Sequence, residues 1–163
     1  MTMTLASELT LEDVFFIKYK DEEGMHLTVL GINEQYPRDA LYKPPHFIAM
    51  YYERICFEAM GGKITNMEFY IENARFDYVS ELGGQKVLIE VKHGFEEYPS
   101  ELTRQADEYL GIAKNKNAIL MYRFYNEPES EGAKVLLEHL KELYKSNKGV
   151  LRIFIKGVEW TGG

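Results

Sequence analysis

The residues from Arg75 to Gly94, RFDYVSELGGQKVLIEVKHG, constrain this chain most, because they put charge where the pattern asks for burial. Gly83-Gly84 marks a tight turn between two short strands. The second strand, Lys86 to Lys92, alternates: Val87, Ile89 and Val91 face one way, Leu88, Glu90 and Lys92 the other. The first carries Asp77 within the apolar setting Phe76-Asp77-Tyr78-Val79. A buried carboxylate is costly unless its charge is compensated. One hairpin brings two acids and a lysine together. A divalent cation bound by Asp77 and Glu90, with Lys92 alongside, is the most economical compensation. The alternative is an edge hairpin with solvated charges, Glu90 pairing with Lys92 or a neighbour.

The rest of the chain supports a single α/β domain, residues 1–163, with a full core. Val14 to Ile17 and Met25 to Ile32 read as an N-terminal hairpin about the turn at 21–24. A loop with Pro37, Pro44 and Pro45 follows, in which Arg38 and Lys43 are expected to be solvated. A helix is predicted from His46 to about Met60, with Ile48, Tyr51, Tyr52, Ile55 and Ala59 on its apolar side and Gly61-Gly62 at its end. Glu53 borders that stripe, and Cys56 reads as a core residue. Ile64 to Ile71 is a strand, Glu72-Asn73 a turn, and the central hairpin comes next.

Beyond it, Ser100 is the expected N-cap of a helix from about Glu101 to Lys114, with Leu102, Ala106, Tyr109 and Ala113 inward. Gln105 and Tyr109 sit four apart on that helix and so align. Ala118 to Tyr125 is an apolar strand. Glu131 to Ser146 is an amphipathic helix with Leu136, Leu137, Leu140 and Leu143 inward. Val150 to Lys156 is a last strand, and Trp160 falls in a short tail. The core reads αβββαβ on a mixed central sheet, with an added N-terminal hairpin and a C-terminal αβ unit.

Composition excludes some functions. With one cysteine there is no intramolecular disulfide and no zinc finger, so the cytoplasm is the expected location. No stretch has the length of a membrane span, and the histidines are too scattered for a histidine metal site. A net charge of −7 argues against a protein that merely coats nucleic acid. It argues less against a metal-dependent enzyme, whose site is itself acidic.

Phosphodiester hydrolysis needs an activated water, relief of phosphoryl charge and help for the leaving oxygen, most of which Mg²⁺ supplies. Mg²⁺ takes carboxylate, carbonyl and water oxygen, which suits Asp77, Glu90 and the carbonyl of Val91; Mn²⁺ would substitute. Lys92, on the same strand face as Glu90, is placed to orient water or to stabilise developing charge. Glu90-Val91-Lys92 is the one Asp/Glu-x-Lys triplet in the chain.

Asp77 followed by Glu90-Val91-Lys92, after a helix bearing Glu53 and before a helix bearing Gln105 and Tyr109, resembles the PD-(D/E)XK, or restriction-endonuclease-like, nuclease superfamily. The order of elements is similar to Holliday-junction resolvases and RecB-type nuclease domains. The resemblance spans roughly Ile48 to Tyr125. It implies a restriction-endonuclease-like core flanked by helices, metal ligation by Asp77 and Glu90, and Lys92 as the catalytic lysine. It makes Glu53 an accessory acid and matches Gln105 and Tyr109 to a Gln-x-x-x-Tyr element near the site. Phe76 stands where the family's name has proline, and His93 is outside the pattern.

The expected function is metal-dependent hydrolysis of DNA, with a homodimer or a partner protein conceivable because cutting both strands takes two sites. The alternatives are a silent binding or assembly module on the same fold, and an RNA-cleaving toxin-type nuclease.

Overall fold

A computed structural model of the protein describes residues 44–162. The expected N-terminal hairpin, Arg38 and Lys43 lie outside the described residues. The chain divides into two compact units, Met1–Met60 and Gly61–Gly163. Of the first, the described part is helix α1, Pro44–Ala59. It begins two residues earlier than expected, because proline's fixed φ and missing N–H are tolerated in a first helical turn. Ala49, Tyr52, Glu53, Ile55 and Phe57 are buried, whereas Ala59, expected inward, is exposed at the helix end and Cys56 is only half-buried.

The second unit is built on a six-stranded sheet in sequence order: β1 (Lys63–Ile71), β2 (Ala74–Leu82), β3 (Gln85–Lys92), β4 (Ile119–Phe124), β5 (Leu151–Ile155) and β6 (Val158–Trp160). The pairs β1–β2, β2–β3 and β5–β6 are antiparallel, while β3–β4 and β4–β5 are parallel. Helix α2 (Pro99–Asn115) joins β3 to β4, and helix α3 (Glu131–Ser146) joins β4 to β5. Parallel pairing requires such crossovers, and the strands between them are buried on both faces. That is why β4, ILMYRF, is apolar on both faces apart from the buried Arg123, rather than alternating.

Leu88, Leu120, Tyr122, Phe124, Leu151 and Ile153 share one core with the inward residues of α2 and α3. On α3, Leu136, Leu137 and Leu140 are buried, and Ser130 caps the helix by accepting the Ala133 N–H at 3.0 Å. Helix α2 departs from expectation at its start. Pro99 occupies the first helical position, so Ser100 lies inside the helix and the cap is Tyr98, in the left-handed region at φ 63°. Trp160 belongs to a sixth strand: Lys156 and Gly157, both at positive φ, turn the chain back so that Ile153 pairs with Trp160. The indole packs edge-on against Tyr144 of α3 at 5.1 Å between centroids.

Candidate active site

The site forms where two strands part. At its turn end the β2–β3 hairpin is regular, from Leu82↔Gln85 to Tyr78↔Ile89, and Gly83 and Gly84 take the positive φ values of 59° and 82° that a two-residue turn demands. Beyond Tyr78 that ladder ends, while β2 continues beside β1 through Phe69↔Phe76 and Ile71↔Ala74. Strict alternation also fails there. Ala74, Phe76 and Val79 all join the α2–α3 core, a spacing of two and then three, so β2 changes face across Asp77 and Tyr78. Asp77 fills the opening. Its Oδ2 accepts the Val91 N–H at 2.7 Å, replacing a lost backbone bond with a side-chain one.

Strand β3 supplies the other charges. Glu90 and Lys92 lie on the face turned to α2, Lys92 donating to Glu90 Oε2 at 3.2 Å and to Gln105 Oε1 at 3.1 Å. The Glu90 and Lys92 side chains are only 8% and 9% exposed, so this ion pair is a buried one. Removal of two charges from water is recovered only with good geometry and additional hydrogen bonds, and Gln105 provides one. Since the amide and carbonyl of one strand residue point to the same edge, the carbonyl of Val91 also faces the Asp77 side.

Tyr109, one helical turn after Gln105, packs against Phe76 with the rings tilted and 4.4 Å between centroids, and donates to the Arg75 carbonyl at 2.9 Å. It thereby ties α2 to the segment of β2 that has left β3. Burial pushes the Tyr109 phenol well above its ordinary pKa, and the nearby charges of Glu90 and then Asp77 push it further. An open cleft of about 480 Å³ results, with Tyr70, Arg75, Asp77, Glu90, Gln105 and Tyr109 in its walls and Glu108 at its side.

Five of the expected residues, Asp77, Glu90, Lys92, Gln105 and Tyr109, thus come together within the second unit, and Val91 stands between the acids. Glu53 is buried on α1 in the first unit. His93 is turned into its own loop rather than toward the cleft: Nδ1 accepts the Phe95 N–H at 3.1 Å and Nε2 lies 3.5 Å from Glu96. Glu96 in turn accepts the N–H groups of His93 and Gly94, holding the chain rigid directly after Lys92. His139 pairs with Asp107 at 2.8 Å, between α2 and α3.

Among the described residues no group of three or more His, Cys, Asp or Glu side chains is arranged to hold a metal ion. Two carboxylates and a carbonyl are nonetheless a donor set of the right chemistry for Mg²⁺, which binds through one or two carboxylates and otherwise keeps water and substrate phosphate oxygens. Two residues of the site were not legible as such. Arg75 contributes a backbone carbonyl, which no side-chain pattern announces. Tyr122, on β4, is brought beside Glu90 by the parallel register Glu90↔Tyr122.

Among the described residues no helix is long and apolar enough to cross a membrane. No family model matches the chain, and no curated protein does. Two solved structures are similar to it. One is SfsA of Pyrococcus furiosus in complex with Ca²⁺, 18% identical over 74% of this chain with a TM-score of 0.45; the chain spans about 60% of that protein's length. The other is an fdxN element excision controlling factor protein from Anabaena variabilis, 17% identical over 76% of this chain and 98% of that one, also with a TM-score of 0.45.

Proposed function

We propose that this protein is a divalent-metal-dependent nuclease that hydrolyses phosphodiester bonds of DNA at the cleft between β2 and β3. The observation that carries the proposal is Lys92. Its ammonium is buried between Glu90 and Gln105, two residues that line the cleft with Asp77, and one ammonium hydrogen is left unengaged by protein among the described residues. An apolar core of this size has no physical need for such a cluster. The order α1–β1–β2–β3–α2–β4 also fits the αβββαβ restriction-endonuclease-like core.

Asp77, Glu90 and the Val91 carbonyl would hold Mg²⁺ or Mn²⁺, which when bound supplies Lewis-acid activation and neutralises phosphoryl charge. The protein's own part is positional. The Val91 amide fixes the Asp77 carboxylate, Gln105 fixes Lys92, and Tyr109 walls the cleft. Lys92 is then an electrostatic clamp at the reacting phosphate or its water. Glu53 is proposed as an accessory acid on the strength of the family resemblance alone. The cleft carries Asp77, Glu90 and Glu108 against Arg75, so it repels a phosphate until a cation enters.

That same acidity, with Lys92 already paired to Glu90, favours a second reading: a nuclease-fold module that binds a partner and does not cut. A panel of labelled duplex, branched and single-stranded DNAs and RNA, incubated with Mg²⁺ or Mn²⁺, separates the two. The nuclease reading expects DNA cleavage that EDTA abolishes and Lys92→Ala removes. No cleavage of any form with either metal would leave the second reading standing, and cleavage of RNA alone would change the substrate.

A further inference from the structure

Tyr122 is fully buried, and its hydroxyl has no hydrogen-bond partner among the described residues. Buried polar groups are nearly always paired, and a core position content with a ring alone would be served by phenylalanine, as at Phe124 two residues on. The position of Tyr122 is what gives the hydroxyl a use. Glu90 and Tyr122 are register partners on adjacent parallel strands, about 4.8 Å apart in the pairing direction. Leu120, Tyr122 and Phe124 all face the α2–α3 core. Glu90 and Lys92 share that face, since Lys92 reaches Gln105 on α2.

Glu90 Oε2 is held by Lys92 at 3.2 Å. A cation entering between Asp77 and Glu90 competes with Lys92 for the same carboxylate. A ligating carboxylate keeps its orientation only if a second donor holds it, and a phenol is free to turn its O–H about the C–O bond. We propose that Tyr122 is a positioning residue whose hydroxyl takes over the Glu90 carboxylate when the cleft is loaded, releasing Lys92 for substrate. This rests on the metal-dependent reading of the cleft.

The test is a thermal-unfolding titration with MnCl₂ on the whole chain, comparing wild type, Tyr122→Phe, Glu90→Gln and the double variant. Without metal, Tyr122→Phe is expected to melt at or above the wild-type temperature, because an unpartnered buried hydroxyl is removed and the ring is kept. Its Mn²⁺ affinity is expected to fall about tenfold, the low end for loss of a group that orients a ligand. In the Glu90→Gln background the same change is expected to add nothing, since its effect runs through the Glu90 carboxylate. Unchanged Mn²⁺ affinity in Tyr122→Phe, or an equal loss in the Glu90→Gln background, overturns the role of Tyr122 alone. A wild-type protein with no Mn²⁺-dependent shift, or one whose shift survives Asp77→Asn, overturns the metal reading and the role of Tyr122 with it.

Discussion

The two ends of the β2–β3 hairpin are made of the same strands and do opposite work. At the turn end, from Tyr78↔Ile89 to Leu82↔Gln85, backbone pairs with backbone and glycines set the bend. At the open end β2 leaves β3, a carboxylate replaces a carbonyl as acceptor for the Val91 amide, and a buried ion pair stands where apolar side chains would pack more cheaply. The first end is dictated by local propensity and would form in many sequences. The second is a set of costly groups that satisfy one another, with Gln105 of α2 adding a further acceptor for Lys92. Stability and chemistry should therefore separate along a single hairpin, and substitutions at its two ends can break that claim.

The largest effect is expected at Lys92. Lys92→Met leaves Glu90 buried without its cation and should cost about 3–5 kcal/mol in urea unfolding, with part recovered in the Glu90→Gln/Lys92→Met double variant. A cost below about 1 kcal/mol, the range of a solvated pair, would place the ion pair effectively in water. Next is Asp77. Asp77→Ala strips the acceptor from a buried amide and should cost about 1–3 kcal/mol, whereas Asp77→Asn keeps an acceptor oxygen and should cost about 1 kcal/mol or less. Equal losses in the two would mean that the Val91 bond is not what Asp77 contributes to folding.

At the turn end, Gly84→Ala forces a side chain into φ 82° with open space around it. It should cost about 1–2 kcal/mol through backbone strain alone and leave unchanged the rate of the cleavage proposed above. A fall in rate out of proportion to the fraction unfolded would couple the two ends. The smallest effect belongs to Tyr109→Phe, about 1 kcal/mol at neutral pH for the bond to the Arg75 carbonyl. Tyr109 also shapes the alkaline limb. Its folded pKa is raised above the ordinary value of 10, so the folded state holds the proton more tightly. The stability this gives is complete below pH 10 and drains as pH rises above it. Unfolding profiles from pH 9 upward should fall less steeply in Tyr109→Phe than in wild type.

What could be read from the sequence follows the same division. Helix α3 was legible to the residue because its stripe of leucines is a local signal, although its Ser130 cap was not singled out. The turn end of the hairpin was legible for the same reason, as were the acids and the lysine, since charge in a buried pattern is conspicuous. Features decided by tertiary pairing were not. Trp160 looked like a tail residue because the three-residue strand that holds it is too short to show a period. The start of α2 was misplaced by one strong signal, Ser100, when proline geometry at Pro99 governs it. Tyr122 passed as an apolar strand residue, because only the parallel register with β3 reveals its neighbour. The change of face at Asp77 likewise has no signature in period-two alternation. It needs β1 on one side and the gap to β3 on the other.

The most direct test is the initial rate of Mn²⁺-dependent DNA cleavage by Asp77→Asn beside wild type, with unfolding curves for both. The account predicts a near-native melting curve together with cleavage lost by at least about a hundredfold, as for removal of a group that stabilises the reacting charge. Wild-type cleavage by a folded Asp77→Asn protein would contradict it and remove the β2–β3 cleft as the catalytic centre.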